Sequence, residues 1–120
     1  MKNLTIKTTG WEMTNEIETY LAEKIQSIEK LLVDPDADTV RCDVELGQAR
    51  EEHANKWRAE MSLFIGGESY RSVAVADGME AALDEMKDEI QRQLRKGKRK
   101  QMSLVKRGGA MMKEWLRFGK

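Results

Sequence analysis

The chain has 120 residues, with 21 Lys or Arg against 21 Asp or Glu, so its formal net charge is zero. That length suits one domain with an appendage rather than two domains, no apolar run reaches the roughly 18 residues needed to cross a membrane, and a lone cysteine, Cys42, excludes an intrachain disulfide and a thiolate metal cluster. The zero conceals a division, because residues 1–90 carry ten basic and twenty acidic side chains while 91–120 carry eleven basic ones and a single acid, Glu114.

In chain order, LTIKT alternates apolar Leu4 and Ile6 with polar neighbours, the period-2 pattern of a half-buried strand, and Gly10 breaks it. Thr14 or Asn15 then caps a helix, with Asn15 and Glu18 at the spacing of a capping box. Ile17, Leu21, Ile25, Ile28 and Leu32 make one apolar stripe on that helix, which Asp34-Pro35-Asp36 ends, since the residue before a proline is biased away from helix. Val40, Cys42, Val44 and Leu46 alternate with charged residues as a second strand, with Cys42 read as a core thiol. The polar stretch from Gly47 to Lys56, which holds the single histidine, His53, reads as a long surface loop.

A third strand follows from Trp57 to Ile65, with Trp57 expected in the core, and Gly66-Gly67 supplies the positive φ of a hairpin turn. The fourth strand, SYRSVAVA, leaves its inward parity open. Asp77 is placed to cap a long final helix, with Glu80 completing another box. On that helix Met79, Leu83, Met86, Ile90 and Leu94 form the apolar stripe, and Arg92, Arg95, Lys96 and Arg99 project from the opposite side. The order β-α-β-β-β-α predicts an α+β fold: a four-stranded mixed sheet with two helices on one face, similar to a double-stranded-RNA-binding fold. The first crossover is right-handed with its two strands parallel if they are neighbours, and the remaining strands form an antiparallel meander. The division expected is a domain over residues 1–100 and a basic amphipathic tail over 101–120.

Catalysis finds little support in these residues. One histidine and one cysteine on different elements do not make a triad or a metal site, and neither Gly66-Gly67 nor Gly108-Gly109 sits in a phosphate-binding loop. No enzyme activity, cofactor, metal or small-molecule substrate is expected. A block with eleven positive charges and one negative repels itself unless an anionic partner neutralises it, and Lys and Arg contacts to phosphate supply salt-dependent affinity of that kind. RNA suits this architecture better than duplex DNA, because helices on one face of a small sheet with basic residues aligned along one of them can engage RNA backbone by shape and no zinc-finger or zipper spacing is present; base stacking on a sheet platform is not expected, since its aromatic pattern is absent. Two other readings stay open: a membrane-surface or protein-adaptor module using the tail, in which Leu104, Val105, Met111, Met112, Trp115 and Leu116 are mixed with Lys106, Arg107, Lys113 and Arg117, and a general duplex-RNA binder.

The run ADGMEAALDEMKDEIQRQLRKGKRK, residues 76–100, resembles the last helix of the ribosome hibernation-promoting factor and ribosome-associated inhibitor family (sigma-54 modulation protein-like, short form). The strand reaching Gly10, the helix start at Met13-Thr14, AEKIQSIEKLL, and WRAEMSLFIGGESYRS are similar to that family in the same order. The resemblance implies the β-α-β-β-β-α fold and a cytoplasmic protein, monomeric off the ribosome. It further implies binding to the small ribosomal subunit at the decoding region, in the mRNA and A/P-site tRNA channel, where members inhibit translation in stress or stationary phase. Carried over by position, Lys24, Lys30, Arg92, Arg95, Lys96 and Lys98 become ribosomal RNA contacts; the basic run and tail add Arg99, Lys100, Lys106 and Arg107. Thr9, Ser27 and Glu89 stand where the family commonly has basic residues, and Glu80 and Gly97 replace tyrosines, so the body is less basic than usual. Long members continue into a second, ribosome-pairing domain, which is not expected of a sequence running to Lys120.

Overall fold

The computed structural model describes the backbone of residues 1–51 and 54–107, and side chains over 1–49 and 56–97. Its elements are β1 (Leu4–Thr9), α1 (Asn15–Glu29), β2 (Val40–Glu51), β3 (Ala54–Ile65), β4 (Glu68–Ala76) and α2 (Met79–Arg107). The strands lie in the order β1-β2-β3-β4, with β1 parallel to β2 and the other neighbours antiparallel. This is the α+β arrangement that the periodicity predicts. Alternation decides which side is buried: Val40, Cys42, Val44 and Leu46 of β2 and Ala59, Met61 and Leu63 of β3 meet Leu21, Ile25 and Ile28 of α1 and Leu83, Met86 and Ile90 of α2. Both helices therefore cover one face of the sheet, and among the described residues the other face is bare. Cys42 is fully buried, and desolvation pushes its thiol up to about 12.

Several boundaries differ from the expectation, each for a local reason. Thr14 rather than Asn15 caps α1, its Oγ1 accepting from the Ile17 amide at 3.2 Å. The helix stops at Glu29, well before Pro35, and the chain tightens through Leu31 N–H to Ile28 O and Leu32 N–H to Glu29 O bonds, which keep Leu32 in the core although it lies beyond the helix. Pairing of β2 with β3 runs out to Glu51 opposite Ala54, so most of the expected loop over 47–56 is a two-stranded arm extending past both edge strands; His53 lies outside the described residues. At the opposite end of that ribbon Gly66 takes φ +59°, as the hairpin turn requires.

The parity left open in β4 is settled by the helix above it. Ser72 and Ala74 point inward and are buried, whereas Val73 and Val75 point to the bare face and are exposed. Small side chains at the inward positions let α2 lie close over the strand. Trp57 is only half-buried, with its ring edge-on to Trp11 at 5.4 Å between centroids, while the Trp11 indole N–H donates to Leu46 O. Asp77 carries an ion pair to Lys56, and α2 begins at Met79, one residue later than a cap at Asp77 would place it.

α2 spans 29 residues, about 44 Å at 1.5 Å per residue. Leu94 is the last buried residue among its described side chains, and Gly97 lies so close to β4 that a Cβ there would come within 3.0 Å of the Tyr70 hydroxyl. Tyr70 is two residues from the start of β4, so the ten helical residues that follow Gly97, about 15 Å of helix from residue 98 to Arg107, run out past that end of the strand.

Candidate nucleic-acid interface

The contacts between the helices fix their direction. Tyr20 and Lys24 of α1 reach Asp84, and further along Gln91 donates to the Ser27 carbonyl at 3.4 Å. Position numbers rise together on both helices, so α1 and α2 are parallel, and the stretch of α2 that follows Gln91, well before α2 ends at Arg107, lies beside the C-terminal end of α1. That end gathers candidate cations from two distant stretches of sequence: Lys30 just past α1, and Arg92, Arg95 and Lys96 on α2.

These side chains differ in what already holds them. Lys24 is not at this end; its ammonium sits 2.9 Å from Asp84 and 4.3 Å from the centre of the Tyr20 ring, and the Tyr20 hydroxyl donates to the same carboxylate at 2.6 Å. Lys24, then Tyr20, hold the Asp84 carboxyl below its ordinary range, and Asp84 raises the Lys24 ammonium in return. Arg92 is exposed but forks onto Glu89 one turn earlier, with Nε to Oε1 at 2.9 Å, and depresses that carboxyl. Lys30, Arg95 and Lys96 are exposed and have no ion-pair partner among the described residues. Lys98, Arg99, Lys100, Lys106 and Arg107 lie on the projecting part of α2, where the backbone alone is described. The rest of the tail, from 108 to 120, lies outside the described residues.

The C-terminal end of a helix carries unsatisfied carbonyls and a partial negative charge, which Lys and Arg complement within the last turn. That favours Lys30 at the end of α1, whereas Arg92, Arg95 and Lys96 lie about three turns or more before the end of α2 at Arg107.

The bare face of the sheet offers the contrast that selects the interface. Its arginines are already occupied: Arg71 and Arg58 both bond Glu60, whose carboxyl is held low chiefly by Arg71, and Arg41 pairs with Asp43 at 3.4 Å while lying over the Phe64 ring. A shallow recess of about 490 Å³ on this face is lined by Thr5, Lys7, Asp43, Glu45, Glu60 and Arg71, an almost balanced set of charges. Lys7 on this face has no ion-pair partner among the described residues, but phosphate arriving at the arginines would have to displace carboxylates from their partners, at a cost in both the ion pair and its hydrogen bonds. Where α1 ends beside α2 it meets Lys30, Arg95 and Lys96, which have no ion-pair partner among the described residues.

Sequence reasoning missed the residues that position the interface. Tyr20, Asp84 and Gln91 couple the two helices, but each reads as an ordinary polar residue on a solvated face until the partner helix is known. Of the departures from the family pattern, Ser27 donates back to the Glu23 carbonyl and Glu89 neutralises Arg92. Thr9 bonds Glu45 on the neighbouring strand, and Gly97 makes room for Tyr70. Among the described residues no group of three or more His, Cys, Asp or Glu is placed to hold a metal, and no helix is long and apolar enough to cross a membrane.

The family model described as sigma 54 modulation protein / S30EA ribosomal protein matches residues 4–102. Curated proteins compared by sequence give no match. Among solved structures, a ribosomal subunit interface protein from Coxiella burnetii is similar with a TM-score of 0.61 at 14% identity, over 79% of this chain and 96% of that one. The N-terminal domain of Protein Y from Thermus thermophilus is similar with a TM-score of 0.57 at 18% identity, over 77% and 93%. At such identities the likeness is one of fold.

Proposed function

The chain belongs to the sigma 54 modulation protein / S30EA ribosomal protein family, a family of ribosome-associated modulation proteins rather than of enzymes, and from that premise we propose that it binds the small ribosomal subunit at the decoding region. There it occupies the channel of mRNA and of A- and P-site tRNA and inhibits translation by steric exclusion, keeping idle ribosomes intact in stress or stationary phase. It works in the cytoplasm, as a monomer off the ribosome, without cofactor or small-molecule substrate.

The observation that carries the reading is the pairing state of the cations: Lys30, Arg95 and Lys96, gathered where α1 ends beside α2, have no ion-pair partner among the described residues, while the arginines of the bare sheet face are neutralised by carboxylates. The basic run from Lys98 to Lys100 continues from that end along projecting helix, with Lys106 and Arg107 on its last turn. In this reading residues 1–100 are the ribosome-binding domain and 101–120 a basic extension that lengthens the contact. Lys24 supports the interface from behind through Asp84, and contacts RNA directly only by exchanging that ion pair for a phosphate.

Cosedimentation through sucrose gradients tests the proposal. The protein is expected to travel with small subunits at low salt and to be released progressively as salt rises, since each phosphate contact lowers log K by about 0.7–0.9 per decade of salt. Absence from the small-subunit fractions at both low and moderate salt sinks it. Excess helical RNA that displaces the protein as readily as added ribosomes do would point instead to a general duplex-RNA binder.

A further inference from the structure

The exposed charge on each helix changes sign along its length. On α1 Glu16, Glu23 and Lys30 recur every seven residues, about two turns, so they lie along one side. On α2 Glu85, Arg92 and Lys96 follow one another at seven and four residues on the side facing solvent. Because the helices are parallel, both acidic portions lie together at one end of the layer and both basic portions at the other. Glu16, Glu23, Glu80 and Glu85 are exposed and have no ion-pair partner among the described residues.

We propose that these carboxylates are a specificity element: they repel phosphate from the N-terminal half of the helix layer, so RNA is admitted only at the C-terminal end and a duplex laid along both helices is rejected. The inference rests on the reading of that end as the RNA interface. Distance makes the two ends act separately. Glu85 and Lys96 are about 17 Å apart along the axis, twice the Debye length of about 8 Å at physiological ionic strength, so the acid does not cancel the field of the bases. A phosphate near Lys96 is attracted; one lying two or three turns back meets uncompensated negative charge in the same groove between helix and solvent.

The helix dipole does not account for the pattern. It favours acids in the first turn, which covers Glu16, Glu18 and Glu80, but Glu23 and Glu85 lie beyond its reach. A role in solubility alone would leave RNA discrimination untouched. Specificity built from repulsion also explains how a protein with a strongly basic end avoids the large excess of other cellular RNA, since unfavourable contacts against the wrong partner separate affinities that attraction to phosphate cannot.

The test compares the full chain with the variant Glu16→Gln, Glu23→Gln, Glu80→Gln, Glu85→Gln. Binding to an RNA duplex of about 16 base pairs, the length a double-stranded-RNA-binding domain spans, is read by fluorescence anisotropy at about 50 and about 300 mM salt. The variant is expected to bind the duplex about tenfold more tightly at the lower salt, with the gap closing at the higher one. It should also be stripped from small subunits by about tenfold less duplex competitor. A duplex affinity within about twofold of the wild type at low salt, with an unchanged circular dichroism spectrum, overturns the proposal. If the spectrum changes, Glu23→Gln, Glu85→Gln, which spares both first turns, is read by the same criterion. Should the wild type fail to bind small subunits, the proposed function falls, and the duplex comparison still decides whether the acids discriminate against RNA.

Discussion

Lys24 and Lys30 sit two turns apart on the same helix segment, and the structure gives them different work. Lys24 faces Asp84 across the helix interface and is closed into a network with Tyr20; Lys30, just past the end of α1, has no ion-pair partner among the described residues. The N-terminal part of the helix layer is thus cross-linked internally, and the C-terminal part is left with charge to spend on a partner. What distinguishes them is the residue opposite on α2, acidic at 84 and neutral or basic from 91 onward. A lysine's role here is set by its neighbour on the other helix rather than by its own position in a sequence motif.

The largest expected break in that comparison is charge reversal at the open end. Arg92, Arg95, Lys96 and Arg99 changed together to Glu are expected to abolish inhibition of translation in vitro and cosedimentation with small subunits, while circular dichroism and the melting temperature stay near those of the wild type. Inhibition that survives would put the interface elsewhere. Changing Lys24 to Gln should reduce ribosome binding much less than changing Lys30 and Lys96 to Gln, and an equal loss would show that the Asp84 pair opens on binding.

A core truncation acts on both ends at once. Leu83 is fully buried beneath the helix layer, and Leu83→Ala is expected to lower stability by about 3 kcal/mol in urea denaturation, within the range for buried leucines. A cost under about 1 kcal/mol would mean that the site collapses around the gap.

The closed end should also respond to acid. The Asp84 carboxyl is held low in the folded protein by Lys24 and Tyr20, so the unfolded chain binds a proton there more readily. Its contribution is therefore present above the unfolded value of about 3.9 and is lost as the pH falls through the depressed folded value. The difference in urea midpoint between the wild type and Asp84→Asn should be largest near neutrality and vanish at strongly acid pH. Because Asp84 is about half exposed, that difference at neutral pH is expected to be no more than about 1 kcal/mol. A difference that persists unchanged at low pH would remove the carboxylate from the explanation.

The smallest effect concerns Gly97, where the packed part of α2 gives way to the projecting part. Gly97→Ala gains helix propensity of up to about 1 kcal/mol but brings its Cβ to 3.0 Å from the Tyr70 hydroxyl. The substitution alone should therefore be close to neutral. Combined with Tyr70→Phe, which removes the blocking oxygen, it should stabilise relative to Tyr70→Phe alone, as read by thermal melting; equal melting temperatures would show that the contact is not limiting.

Much of this was legible in the residues. Period-2 alternation in Val40–Leu46 and Trp57–Ile65, and the stripes Leu21–Ile25–Ile28 and Leu83–Met86–Ile90, identify the elements and their buried faces, because burial on one side imposes a period on the chain. The arm of β2 and β3 was not legible: Gly47 to Lys56 is polar on both sides, and a ribbon with no core beneath it leaves no alternation to read. Nor was the parity of SYRSVAVA, where small residues alternate with small or aliphatic ones and the close approach of α2 makes the choice. For the candidate site, the basic run of α2 was plain from composition, and Lys30 entered through family resemblance. The pairing of Lys24 with a carboxylate was not visible, since its partner Asp84 lies 60 residues away on another helix.

By itself, then, the sequence determined the order and type of the elements, the core stripes and the separation of acidic from basic charge, all of which follow from local periodicity and composition. The tertiary structure alone decided that the two helices run in parallel, and so that their cations meet at one end and their carboxylates at the other. Charges three turns apart on one helix are a pattern; brought beside a second helix of the same polarity, and separated along the axis by more than a Debye length, they become two distinct surfaces, which in the proposed reading attract and repel phosphate.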